Sequence, residues 1–244
     1  MESSHPPLQI EAFSELYALL ASRRQKEGKI TFETTECYFT LDTKRNITAI
    51  TKRERNDAHM MIEEFMVLAN EEVAKWCVKE KLPFLSRIHA KPGPEQSKII
   101  AEVLGNLSLI ESLEPRHIRD HLEQAKDKRE HYRLSRLLLP KMSKAVYGDT
   151  PAGHFGLALS YYAHFTSPIR RYPDLLLHRV MKAHLQGRLS GSEKARYTKE
   201  MKRYGKLLSE REKQAEGAER AIDSLMMCRY MSDKVGLEFH GTVS

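Results

Sequence analysis

The stretch Gly153–Arg179, GHFGLALSYYAHFTSPIRRYPDLLLHR, changes its periodicity halfway along. Phe155, Leu157 and Leu159 alternate with small residues, the pattern of a strand. An aromatic patch follows at Tyr161, Tyr162 and Phe165, and then Thr166-Ser167-Pro168-Ile169-Arg170-Arg171. From Ile169 the apolar positions Tyr172, Leu175 and Leu176, with Arg179, recur at helical steps. Ser167 is a good N-cap, and Pro168 suits the first helical position because its missing N–H is an orphan there anyway. A helix opening at this point combines free backbone donors, the positive end of the dipole, and Arg170 with Arg171, which outlines a phosphate site. The plainer reading is a well-capped helix with two solvated arginines, and the stretch by itself weighs the two equally.

Outward from this stretch the chain reads as one α+β unit without repeats or a Pro/Gly/Ser-rich linker. Residues 1–7 are expected to be a short disordered lead. A helix is expected from Leu8 to Lys26, with Ile10, Phe13, Leu16, Tyr17, Leu19 and Leu20 on its apolar face. Two or three strands follow between Ile30 and Ile50, turning at Asp42–Asn46. A second helix runs from Asn56 or Asp57 to Lys79, a short strand covers Leu82–Ala90, and helices cover Pro94–Leu104, Pro115–Lys126 and His131–Leu139. Glu193–Ser232 is polar and helical, with a break near Leu208, because Ser209-Glu210-Arg211-Glu212 has capping-box spacing. Val235–Ser244 alternates like a strand that then stops, and a lone strand does not fold by itself.

Charged residues make up 30% of the 244 and the net charge is +7, so a polyanionic partner such as nucleic acid or an acidic membrane fits. Cys37, Cys77 and Cys228 are far apart, with no CxxC spacing, which suits free thiols in a reducing, cytoplasmic setting. No apolar run has membrane-spanning length, and residues 1–25 lack the core of a signal peptide.

Other constellations have plain and sharp readings side by side. Asp174, four residues after Arg170, can orient that guanidinium across a helical turn or form a surface pair of little worth. Tyr162 and Phe165 can stack on bases or pack a strand–helix junction, and packing is favoured. His154, His164 and His178 with Asp174, or His59 with Glu63, lack the spacing of a metal site, so no metal ligands are assigned. A histidine/aspartate metallo-esterase is a remote third class. Lys199, Lys202, Arg203, Lys206, Arg211 and Lys213 form a basic stripe, but Glu200, Glu210 and Glu212 interleave with it. There is no GxxxxGK, GxGxxG or GxSxG.

The stretch HFGLALSYYAHFTSPIRRYPDLLLHR resembles the most diagnostic block of the RNB exoribonuclease family, the ribonuclease II and ribonuclease R group. Supporting blocks occur in the family's order: Arg55-Asn56-Asp57-Ala58-His59 with Ile62–Asn70, then Pro83–His89 with Lys91-Pro92, then Ala218-Glu219-Arg220 and Arg229-Tyr230-Met231. The resemblance covers about Leu8 to Ser244. It implies the C-terminal portion of an RNB catalytic domain over residues 8–233, helix-rich with a mixed β-sheet, and the first strand of a truncated S1-like barrel at 234–244. It implies a hydrolytic 3′→5′ exoribonuclease that threads single-stranded RNA and releases nucleoside 5′-monophosphates with Mg²⁺, with no membrane or DNA partner. Carried onto this sequence, the active-site arginine is Arg170 and a glutamate near the terminal nucleotide is Glu219. Ser167, Arg170, Arg171, Tyr162 and Phe165 are the implied RNA contacts. The family's aspartate cluster, spaced roughly D-x5-D-x-D-D, does not occur in this sequence. The chain alone is therefore expected to be inactive or nearly so. Either a polypeptide bearing the N-terminal half of the domain completes its site, or it is a non-catalytic single-stranded RNA-binding remnant.

Overall fold

A computed structural model describes residues 8–33, 36–53, 55–125 and 127–239. The first helix, α1 (Leu8–Glu27), lies along α2 (Asp57–Lys79), with Phe13 edge-on to Phe65 at 5.9 Å. The expected apolar face of α1 is only partly used. Leu20 is buried, whereas Ile10, Phe13, Leu16 and Leu19 are exposed. A charged contact holds the two helices instead. Arg24, 2% exposed, reaches Glu71 at 2.8 Å and Glu64 at 3.4 Å, and Lys29 also pairs with Glu64. Burial pushes the Glu71 carboxyl up, but Lys75 at 2.6 Å and Arg24 outweigh it and hold the pKa below the ordinary value.

The start of α2 is legible in its cap. Asn56 Oδ1 accepts from the His59 N–H at 3.1 Å, and the Asn56 N–H donates back to His59 Nδ1 at 3.4 Å. That reciprocal bond occupies His59, and Glu63 pairs with Arg55. Between the helices, β1 (Cys37–Leu41) and β2 (Ile47–Lys52) form an antiparallel ribbon in which Phe39 pairs with Ile50. Asp42 builds its turn by accepting from the Lys44 and Asn46 N–H groups at 2.8 and 2.7 Å.

Among the described residues the expected mixed sheet is replaced by two separate two-stranded antiparallel ribbons. The second pairs β3 (Ser86–Ile88) with β4 (Val146–Gly148), Arg87 opposite Tyr147. Four helices fill the interval: α3 (Pro94–Val103), α4 (Leu109–Ser112), α5 (Pro115–Glu123) and α6 (Lys128–Leu138). Ile100, Leu113, Ile118, Leu122 and Leu138 close one apolar core there, together with Ile30. The larger core gathers Ala74 and Cys77 of α2, Phe84, Leu85 and Tyr147 around the second ribbon, and the last two helices, α7 (Tyr172–Leu185) and α8 (Gly191–Ser232).

Helix α8 runs unbroken for 42 residues, about 63 Å at 1.5 Å per residue. The break expected near Leu208 does not occur, because Ser209 does not cap a helix. Its hydroxyl donates to the Gly205 carbonyl at 2.8 Å and accepts the Tyr147 N–H at 2.8 Å, which ties α8 to the edge of β4. Gly205 sits where the helix meets that ribbon: a Cβ there would stand 3.1 Å from the Tyr147 carbonyl oxygen. Tyr197, Met201 and Gly205 are buried, and the half beyond Arg211 is largely exposed. The strand expected from Val235 is not formed over the described residues; 233–236 are turns and 237–239 are irregular. The remainder of that expectation, residues 240–244, lies outside the described residues, as does the lead at 1–7. No helix among the described residues is long and apolar enough to cross a membrane.

Candidate nucleic-acid interface

The segment read as a strand, Phe155–Leu159, is a turn of 3₁₀ helix at Phe155–Leu157 closed by Ala158 in the left-handed region at φ 54°. His154 accepts the Leu157 N–H on Nδ1 at 3.3 Å, and backbone bridges join His154 to His89 and to Leu159. The alternation of Phe155 and Leu157 thus marks two packed sides of a turn. Only isolated bridges with β3 and its neighbours remain of the strand.

The helix boundary also moves. Pro168–Arg170 form a turn, Arg171 is the N-cap, and α7 begins at Tyr172 with Pro173 in its first turn. The carbonyl of Ser167 accepts the N–H groups of Arg170 and Arg171 at 3.3 and 3.0 Å. The Ser167 N–H donates to Asp174 Oδ1 at 2.8 Å. The N–H groups of Ser167, Arg170 and Arg171 are therefore spent inside the turn.

Three polar side chains from the helices beneath fix the turn's approach. Asn70 Oδ1 accepts the N–H groups of Phe165 and Thr166 at 2.9 and 3.2 Å, while its amide donates to the Tyr162 hydroxyl at 3.1 Å. His178 Nε2 bonds the Phe165 carbonyl at 2.9 Å, and the two rings stack at 4.3 Å and 3°. Asp174, fully buried, holds Ser167 and accepts from Arg171 Nη2 at 2.8 Å. So Asp174 orients Arg171, not Arg170. The carboxylate's other oxygen is buried without a hydrogen-bond partner.

The candidate residues divide accordingly. Tyr162 is buried, 7% exposed, edge-on to His154 and His164 at 5.3 and 5.8 Å. Phe165 is half-buried against His178. Ser167 and Arg171 hold the turn. Arg170 stands exposed with no side-chain hydrogen bond or ion pair among the described residues, next to Ile169, which is fully exposed. Glu219 lies on the exposed half of α8 and also makes neither contact among the described residues. Its helix face is nevertheless set. Glu219 follows Glu212 by two helical turns, and Glu212 is paired with Arg87, whose guanidinium lies 4.7 Å over the Tyr147 ring.

Behind the turn is a neutral polar layer. Tyr147 shares a 2.8 Å hydrogen bond with His164 Nδ1. Burial, reinforced by nearby cations, pushes the His164 pKa down to about 2; burial, reinforced by His89, pushes His154 down to about 3. Burial also pushes the Tyr147 hydroxyl up to about 12. These groups brace the turn and carry no charge near neutrality. No group of three or more His, Cys, Asp or Glu side chains suited to a metal ion occurs among the described residues. The carboxylates near the turn do not fit Mg²⁺ either, since Asp174 is committed to Ser167 and Arg171 and Glu212 to Arg87.

Asn70 and the Arg87–Glu212 pair had no functional reading in the sequence, and His178 was weighed there only as a metal ligand. An asparagine in the middle of an apolar helix is the one usable signal, since asparagine favours such a position only when its side chain has tertiary work. The geometry reduces to a rigid turn that presents one unpaired guanidinium, a group suited to a phosphate oxygen.

Known proteins place this turn in context. The model of the RNB domain matches residues 3–187. Ribonuclease R of Escherichia coli is 40% identical over 246 residues, an alignment covering 96% of this chain and 30% of the relative. Ribonuclease R of Aquifex aeolicus is 36% identical, with 94% of this chain and 33% of the relative covered. The chain thus spans about a third of the length of the curated relatives it matches. Among solved structures, Mycoplasma genitalium RNase R in complex with ribose-methylated single-stranded RNA superposes with a TM-score of 0.86 at 28% identity, covering 93% of this chain and 37% of that one. Yeast Ssd1, described as a pseudonuclease, shares the fold at a TM-score of 0.61 and 20% identity, covering 86% of this chain and 27% of its own. With a domain match over most of its length and a ribonuclease R fold around the turn at Arg170, the chain belongs to the RNB family.

Proposed function

We propose that this chain is the phosphate-gripping part of a 3′→5′ exoribonuclease that degrades single-stranded RNA to nucleoside 5′-monophosphates. The carrying observation is Arg170, an unpaired exposed guanidinium on a turn that Asn70, Asp174 and His178 immobilise. Its role is to bind a phosphate near the RNA 3′ end. Glu219 contributes from α8, on the face set by Arg87 and Glu212. Mg²⁺, held by carboxylates outside the described residues, would supply the charge that polarises the phosphate and lowers the pKa of the attacking water. The carboxylates that hold the metal come from a polypeptide carrying the aspartate cluster, because the residues described here do not fit the ion.

The test is to mix this chain with a polypeptide bearing that cluster, add Mg²⁺ and follow mononucleotide release from single-stranded RNA. Release that needs both components and is lost in Arg170→Ala supports the reading. No release from two well-folded components would sink it.

The alternative is a single-stranded RNA-binding protein without catalysis. The same lack of a metal-suited cluster among the described residues favours it. It entails salt-sensitive RNA binding, weakened in Arg170→Ala, and no cleavage with any added component.

A further inference from the structure

Two residues beyond Arg170 the surface carries a second group of side chains that can face a nucleic acid. Tyr172, at the first position of α7, is 37% exposed and lies edge-on to Tyr204 of α8, with ring centroids 5.3 Å apart. The Arg203 guanidinium sits 5.5 Å from the centroid of Tyr204. Arg179 lies two turns along α7 from Tyr172, on the same helix face. Arg179 and Arg203 are exposed, and neither forms an ion pair among the described residues. Burial and the neighbouring Tyr204 push the Tyr172 pKa up, with Arg179 opposing the rise and Glu200 adding to it.

This arrangement differs from an ordinary charged helix face. Arg196 faces Glu193 and Lys206 faces Glu210, while Lys199 and Lys202 share with Arg203 the lack of an ion pair among the described residues; Arg203 is the cation placed against the Tyr204 ring. An exposed phenol ring and a guanidinium plane held against a neighbouring ring both offer flat surfaces on which a base can stack, whatever its identity. The two guanidinium groups supply phosphate contacts beside those surfaces.

We propose that Tyr172, Tyr204, Arg203 and Arg179 form a second strand contact that takes the nucleotide adjoining the phosphate held by Arg170. The base stacks on Tyr172 and the Arg203 plane, and the phosphate pairs with Arg179 or Arg203. The ligand is single-stranded RNA, and the inference rests on the reading of Arg170 as a phosphate contact.

Fluorescence anisotropy of the full chain with a labelled single-stranded 12-mer, titrated across salt concentrations, tests it. Tyr172→Leu is expected to weaken binding roughly tenfold, the scale of one lost stacking partner, and Tyr172→Phe to retain it. Arg203→Ala is expected to weaken binding and to lower the salt slope by about one counterion. Tyr38→Leu, which alters a still more exposed ring on β1, should change nothing. Should Tyr172→Leu lose its circular dichroism, Arg203→Ala decides, since Arg203 is exposed. Wild-type affinity in Tyr172→Leu and Arg203→Ala, with Arg170→Ala weakened, overturns the second contact and spares the Arg170 reading. Weakening in Tyr172→Leu and Arg203→Ala with Arg170→Ala unaffected supports a strand contact here and overturns the Arg170 reading.

Discussion

Asp174 Oδ1 lies 2.8 Å from the backbone nitrogen of Ser167, and the same oxygen accepts from Arg171 Nη2 at 2.8 Å. A single buried carboxylate oxygen thus fastens both ends of the turn that carries Arg170. Removing it leaves the Ser167 N–H and the Arg171 guanidinium, only 19% exposed, without their partner. Breaking a buried pair from one side costs about 3 kcal/mol or more. Asp174→Ala is therefore expected to lose at least that in urea denaturation and to bind RNA more weakly, although Asp174 is fully buried and cannot touch RNA. A loss below about 1 kcal/mol would contradict the role given to this residue.

Asn70 does the same work from the opposite side. Asn70→Leu keeps the branched shape but abandons the Phe165 and Thr166 N–H groups and the Tyr162 hydroxyl. Each buried group left unsatisfied costs about 1–3 kcal/mol, so the expected loss is about 3 kcal/mol. Amide hydrogen exchange should speed up at Phe165 and Thr166 first. Unchanged protection at both amides would show that Asn70 is not their partner in solution.

Much of the architecture was legible where local chemistry decides. Asn56 announced α2, Asp42–Asn46 announced the first hairpin, and the proline starts of α3 and α5 held. Two of the misreadings share a cause, a helix-start signature whose groups are bonded elsewhere in the fold. Ser167-Pro168 has the signature of a helix start, yet Asp174 takes the Ser167 N–H and α7 begins at Tyr172. Ser209 has capping-box spacing, yet its hydroxyl serves Tyr147, far away in sequence, and α8 continues. Arg170 was legible as a cation at a special turn. That Arg171 is structural and Arg170 is free follows only from Asp174 lying on one side of the turn.

The long bond from Ser209 gives its own expectation. Ser209→Ala should leave α8 continuous, since alanine favours a helix, while the Tyr147 N–H loses its acceptor. The expected cost is about 1 kcal/mol, read as a lower denaturation midpoint with an unchanged slope. Helical circular dichroism should not fall; a marked fall would mean that Ser209 does start a helix.

Acid sensitivity follows from His154 and His164, whose folded pKa values lie at about 3 and about 2. Unfolded, each titrates near the ordinary histidine value of about 6.5. The sign is set by proton uptake: between these values the unfolded chain binds more protons, so stability falls as pH drops below about 6.5. Each histidine adds a slope of up to about 1.4 kcal/mol per pH unit in that window. Denaturation midpoints measured from pH 7.5 to 5 should decline, and His164→Gln should flatten the decline. A midpoint constant down to pH 5 would contradict buried neutral histidines.

The central claim separates two neighbouring arginines, and equilibrium RNA binding paired with thermal denaturation separates them experimentally. Arg170→Ala should melt within about 0.5 kcal/mol of the parent chain, as an exposed unpaired side chain allows, yet bind single-stranded RNA more weakly with a salt slope reduced by about one counterion. Arg171→Ala should melt substantially lower, because Asp174 is left as a buried, uncompensated charge. Unchanged RNA affinity and salt slope in a fully folded Arg170→Ala chain would contradict the account.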